Sequence, residues 1–298
     1  MEDAARFAVF FSRRRQRFAA RGMTFDKVRI RFRKNGDLRL VSHHDLMRAF
    51  ERMLRRADLP FRSTEGFHPQ PRVVFALSLP LGIAGTQEVV EIEWTEPVDP
   101  TAALERLRNQ SPNGLSFASA QRITIKQAAK PRRAVYRLPM PPYGVAQCSP
   151  HAPREDYIAQ LRSRCAELMA STAIWVERER PKPRQVNIRP YVKALTTGPD
   201  FLEMDLWVTQ DGSARADELA RALGLNHLLE AGAVIERTVL EIVDEIDPSE
   251  LAAGPSLPTR EDRAALERPS EKEAAKPPER PVAATAHRGA SPSGPIVE

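Results

Sequence analysis

Most of the side chains able to do chemistry lie between Ser42 and Arg72. His43, His44 and Asp45 follow Ser42 directly, and His68 stands in the loop Gly66-Phe67-His68-Pro69-Gln70-Pro71. An imidazole titrates near neutral pH, so His43 with His68 is a candidate base and acid pair for a ribose hydroxyl. Asp45 is a candidate nucleophile, but three residues after Ser42 it is also placed to complete a capping box, and the two roles compete. A metal held by His43, His44, Asp45 and His68 is a weaker reading, because adjacent histidines on a helix point in different directions. The stronger reading is local: one histidine packs or caps, the others face water, and no residue is assigned as catalytic.

The same stretch is rich in arginine. Arg48, Arg52, Arg55 and Arg56 fall opposite an apolar stripe of Leu46, Met47, Phe50, Met53, Leu54 and Ala57, the spacing of an amphipathic helix that starts at Ser42 and ends at Leu59-Pro60. Upstream, Arg29, Arg31 and Arg33 alternate with Val28, Ile30 and Phe32, the pattern of a half-buried strand. A guanidinium is permanently charged and forks onto phosphate oxygens. Arg29, Arg31, Arg48, Arg52, Arg55, Arg56, His68 and Arg72 are therefore the expected nucleic-acid contacts. Glu91 and Glu93 of a neighbouring strand are placed to neutralise part of the strand's row. That face has no aromatic residues on which bases could stack, although the Gly-His loop can present Phe67 and His68 to a base or partner, if Phe67 is not core.

The elements that must position these residues follow in a recognisable order. A strand at Val28–Lys34, a helix at His43–Ala57, an apolar run at Val73–Leu79, an alternating strand at Glu88–Thr95, a short helix after Asp99-Pro100 and a strand at Leu115–Ile125 spell βαββαβ. The order repeats: strand Ala134–Leu138, helix Arg154–Ala170, middle strands Ala173–Val176 and Phe201–Val208, short helix Asp217–Leu223 and strand Val234–Val243. The expected fold is α+β, two tandem ferredoxin-like units with antiparallel sheets followed by a disordered tail. The boundaries are a basic extension at 1–24, a first unit at 25–125, a basic linker at 126–133, a second unit at 134–244 and a Pro/Ala/charged tail at 245–298. Met23-Thr24, just before the first strand, makes an alternative start that would leave residues 1–22 untranslated. Gly212-Ser213-Ala214-Arg215, before the short helix, is a weak candidate for holding a phosphate.

Ser42-His43-His44-Asp45-Leu46, Arg55-Arg56-Ala57, Leu59-Pro60, Gly66-Phe67-His68-Pro69 and Pro80-Leu81-Gly82 together resemble an uncharacterised bacterial domain found fused to, or encoded beside, radical SAM proteins. Asn187-Ile188-Arg189-Pro190 and Gly212-Ser213-Ala214-Arg215 extend the resemblance more weakly, so that it covers about Lys27 to Asp244. His44 and Ala216 depart from the family's usual apolar residue and proline. The resemblance implies a radical SAM enzyme as partner.

Composition bounds the rest. Up to Val135 the chain has 25 Lys+Arg against 14 Asp+Glu; the remainder has 20 against 25, so the basic charge is N-terminal. That favours polyanionic partners. No apolar run approaches the roughly 18 residues of a spanning helix, so no membrane partner is expected. Cys148 and Cys165 are the only cysteines; they form no Cys-x3-Cys-x2-Cys site, so radical chemistry would be carried by a second polypeptide. No cofactor is expected, and scarce cysteine without a secretory segment points to the cytoplasm. Three functions follow: an accessory module that binds RNA or presents a substrate to a radical SAM enzyme; an enzyme acting on RNA as a metal-independent ribonuclease or a modifying enzyme; and a protein-interaction scaffold. The first is favoured.

Overall fold

A computed structural model describes residues 26–140, 154–209, 212–252 and 258–269. The N-terminal extension, Cys148 and most of the C-terminal segment lie outside these described residues. The chain forms a mixed α/β structure around one large, mainly antiparallel sheet.

In the first half, β1 (Lys27–Lys34) lies between β4 (Leu115–Ile123) and β3 (Ala84–Glu93), and β2 (Val73–Phe75) pairs with β3. The alternation in β1 turns Val28, Ile30 and Phe32 to a face that, with Val90 and Ile92, packs against α1 (His43–Arg56) and α2 (Pro100–Arg108). Leu46, Phe50, Met53 and Leu54 are the buried stripe of α1, and each such side chain contributes about 1.5–3 kcal/mol when removed from water. Phe50 meets Phe32, Phe75 and Phe117 edge-on, with ring centroids 5.1–5.8 Å apart. Pro100 at the first turn and the Asp99 carboxylate, which accepts from Ala102 N, start α2.

The expected strand at Val73–Leu79 stops at Phe75. Leu77 and Ser78 turn away because their carbonyls accept from the Arg237 guanidinium instead of a ladder partner.

In the second half, β10 (Glu236–Ile242), β5 (Pro131–Pro139), β9 (Phe201–Trp207) and β8 (Val192–Thr197) lie side by side in that order. The halves share one sheet because β10 runs parallel to the start of β3, with Glu236 opposite Ala84 and Arg237 opposite Gly85. Helices α3 (Arg154–Ala170), α4 (Ala216–Ala222) and α5 (Asn226–Glu230) contribute Leu161, Cys165, Leu219 and Leu228 to this core. Burial pushes the Cys165 thiol up to about 11, which keeps it a protonated core residue.

One middle strand differs from expectation. Ala173–Val176 does not enter the large sheet. Trp175 begins β6 (Trp175–Arg178), which pairs with β7 (Arg184–Asn187) in a second, three-stranded sheet, and β8 takes the edge position beside β9 in the large sheet. The Asn187 side chain enforces this geometry by accepting from Ile174 N and Arg189 N. Local alternation marks a strand but does not name its partner.

The segment after 244 also departs in part from a separable tail. Glu245 is ion-paired to the first half of the sheet. Farther on, α6 (Pro248–Ala252), α7 (Arg260–Leu266) and β11 (Glu267–Pro269) follow, and β11 adds to β7. Arg268 lies 3.9 Å from the Trp175 ring centroid, and Leu266 packs on the second core.

Candidate nucleic-acid interface

The α1 helix is built as its sequence implies. Ser42 accepts from Asp45 N at 3.2 Å and donates to the Asp45 carboxylate at 2.7 Å. The Ser42 bond, reinforced by Arg48, holds the Asp45 carboxyl below the usual carboxylate range. Asp45 is therefore an ionised cap, 3.2 Å from Arg48, the structural one of the two roles that compete for it.

His43 and His44 lie ring to ring, and His68 makes no hydrogen bond or ring contact with either among the described residues. His43 is half-buried, its ring 5.2 Å from Phe75 and 6.1 Å from His44. Burial, then the charges of His44 and Lys34, lower its pKa. His44 faces water, and His68 sits exposed in the Gly-His loop. No group of three His, Cys, Asp or Glu side chains among the described residues is arranged to hold a metal ion.

The basic row of β1 is the main correction. Arg29 is 2 % exposed and bonded to Glu91, Asp244 and Glu245; burial lowers its pKa, but those three carboxylates outweigh burial and raise it. Lys27 is also buried, 3.2 Å from Glu91. Arg31 pairs with Glu245 and donates to the carbonyls of Gln87 and Leu240, and Arg33 lies 3.3 Å from Glu236. The Glu91 pairing was legible in the alternation of the strands. The covering of the row by residues 244–245, more than 200 positions away in sequence, was not.

The helix arginines behave differently. All four are exposed. Arg48 pairs with Asp45 and Arg55 with Glu51, one turn away on the same helix. Arg52 and Arg56 have no ion pair or hydrogen bond among the described residues. Arg72 is exposed, 3.9 Å from Glu93.

The Gly212-Ser213-Ala214-Arg215 turn is already occupied. The Glu218 carboxylate accepts from Arg215 N and from Arg178, and Arg178 also binds the Ser213 carbonyl. A Cβ on Gly212 would lie 2.5 Å from the Tyr191 hydroxyl, so packing accounts for that glycine.

One cluster escaped sequence reading altogether. Glu88, Arg237 and Lys34 are all at most 2 % exposed. The Arg237 guanidinium binds both oxygens of Glu88 and reaches the Tyr136 hydroxyl at 3.3 Å. Lys34 Nζ donates to Val41 O at 2.8 Å, and burial lowers its pKa against the opposing pull of Glu88. Lys34 and Glu88 line a cavity of about 10 Å³ with His43 and Phe75, room for roughly one water. Register breaks in β1 near Lys34 and in β10 after Arg237 accompany this inward placement; no local pattern marks them.

Residues 27–216 match a family described as an uncharacterised protein conserved in bacteria (DUF2344), and the chain belongs to that family. No curated protein matches it. A crystal structure of an unknown protein from Galdieria sulphuraria is similar at 14 % identity over 73 % of this chain and 98 % of that one, with a TM-score of 0.22. No helix among the described residues is long and apolar enough to cross a membrane.

Proposed function

We propose that this protein is a non-catalytic accessory module that binds RNA through the exposed face of α1 and serves a separately encoded radical SAM enzyme. One observation carries the RNA reading: Arg52 and Arg56 are exposed cations without a carboxylate partner among the described residues. Arg48 and Arg55 beside them are held only by same-helix pairs. Such surface pairs contribute about 0.3–0.5 kcal/mol, so a phosphate displaces them readily. Arg29 is the opposite case, because freeing it would leave buried charges uncompensated. The N-terminal excess of basic residues adds a longer-range attraction for a polyanion.

The radical SAM partner rests on the sequence resemblance, together with a chain whose two cysteines form no cluster motif. We also read the sheet as two ferredoxin-like units joined edge to edge. The strand orders β4-β1-β3-β2 and β10-β5-β9-β8 support that reading, since both follow the same path through their half. The enzyme reading draws less support, with His43 packed on Phe75 and His68 in a solvent-exposed loop. Crosslinking in cells, with sequencing of bound RNA and identification of co-purifying proteins, tests both parts. RNA crosslinked at α1 and a co-purifying radical SAM enzyme are expected; protein partners without RNA would replace this reading with the scaffold.

A further inference from the structure

The chain between Phe61 and Arg72 leaves the body of the protein as an arm. Its root is fixed by backbone bridges of Phe61 to Trp94 and of Ser63 to Pro71, and its neck by Thr64 N donating to Gln70 O and Gln70 N to Thr64 Oγ1. Beyond the neck, Glu65 to Gln70 are all exposed. Gly66 turns the tip at φ +130°, a conformation open to glycine almost alone. Phe67, whose sequence fits either core or display, is 101 % exposed. It is the only exposed phenylalanine among the described residues. A ring held out on a fixed stalk has little ordering entropy left to lose on binding.

The surroundings of the arm say what such a ring would meet. The Arg55 guanidinium lies 5.4 Å from the Phe61 ring centroid, so the C-terminal end of α1 abuts the arm's root. Arg52 and Arg56 are on that part of the helix, and Arg62 and Arg72 on the arm lie 3.2 and 3.9 Å from Glu93. Glu65 at the tip is the opposing charge. An exposed aromatic ring on an arm that carries Arg62 and Arg72 and is rooted at the arginine-bearing end of α1 matches the division of labour in single-strand binding, where a ring takes the base and cations take the backbone.

We propose that Phe67 is a stacking finger that receives one unpaired base of a single-stranded RNA whose backbone lies along Arg52 and Arg56. This inference rests on the RNA reading above and adds the strandedness of the ligand and the residue that selects for it. A base within a duplex has both faces covered by its neighbours and offers no face to the ring.

The test uses the full chain and fluorescein-labelled RNA in three forms: short poly-uridine, short poly-adenosine and a duplex of the same length, read by anisotropy. Phe67→Leu should weaken single-strand binding roughly tenfold while leaving its salt dependence and the duplex affinity unchanged. Phe67→Trp should retain affinity and add to the emission of Trp94, Trp175 and Trp207 a component that single-stranded RNA quenches, so that the variant is quenched more than the wild type. If Phe67→Leu binds like the wild type while Arg52→Gln/Arg56→Gln is weakened, the finger is wrong and the α1 reading stands. If the wild type binds neither single strand, both fall. Loss of a co-purifying protein from Phe67→Leu at unchanged RNA affinity would make the ring a protein-docking residue and overturn the proposal.

Discussion

Arg237 on β10 grips Glu88 on β3 with two guanidinium nitrogens, across the parallel strand pair that joins the halves of the large sheet. Arg237 is 1 % exposed and Glu88 2 %. Burial alone would lower the arginine's pKa, but Glu88 and Tyr136 together raise it, so the guanidinium stays charged. Removing one partner strands a buried charge, at a cost of about 3–5 kcal/mol. Glu88→Ala and Arg237→Ala should each lower stability by that amount in urea unfolding. A combined Glu88→Leu/Arg237→Met variant should lose less than the sum of the single changes. Single variants with wild-type stability would show that the seam does not depend on the pair.

The cap of α1 makes a smaller, separable contribution. Ser42→Ala removes the acceptor of Asp45 N and should lower stability by about 1 kcal/mol, with α1 still formed. Arg48 and, more weakly, His44 would still hold the Asp45 carboxyl below its ordinary value. A change of zero in denaturant unfolding would contradict the cap.

His43 gives the fold a pH dependence of known sign. Its folded pKa is below the ordinary value of 6.5, first through burial and then through His44 and Lys34. Protonation therefore favours the unfolded chain: the stability is present above about pH 6.5 and is lost as pH falls through the folded pKa. Between about pH 7.5 and 5.5 the wild type should lose more stability than His43→Gln. Parallel pH profiles for the two proteins would rule out this role for His43.

Asp244 and Glu245 cover Arg29 from across the chain. Ending the chain at residue 243 should therefore lower the thermal midpoint, because Arg29 would keep only Glu91 among its three carboxylates. Asp244→Asn/Glu245→Gln in the full chain should reproduce most of the loss. An unchanged midpoint in both would restore the view of a tail separable at 245.

What could be read from sequence divides along physical lines. The α1 helix was legible because its cap, stripe and arginine face are local and periodic, and β1 and β3 because their alternation is. The partner of Glu91 followed from two such patterns placed side by side. Contacts that join distant segments left no periodic trace. Asp244 on Arg29, Arg237 on Glu88, and β8 in place of the stretch around Trp175 all depend on how finished elements meet. The exposure of Phe67 was half legible: glycine and prolines marked a rigid loop, but the bridges that root it and the solvent around the ring depend on the folded chain.

An RNA interface on α1 requires that its unpaired cations, Arg52 and Arg56, carry nucleic-acid affinity. The direct measurement is the slope of log affinity against log salt for single-stranded RNA, compared between wild type and Arg52→Gln/Arg56→Gln. Both residues are exposed and outside the core, so the variant should fold with unchanged stability. Each phosphate contact on a single strand adds about 0.7 to the slope, so losing two should make it shallower by about 1.4 and weaken binding at low salt. The same affinity and the same slope in both proteins would contradict an RNA interface on α1.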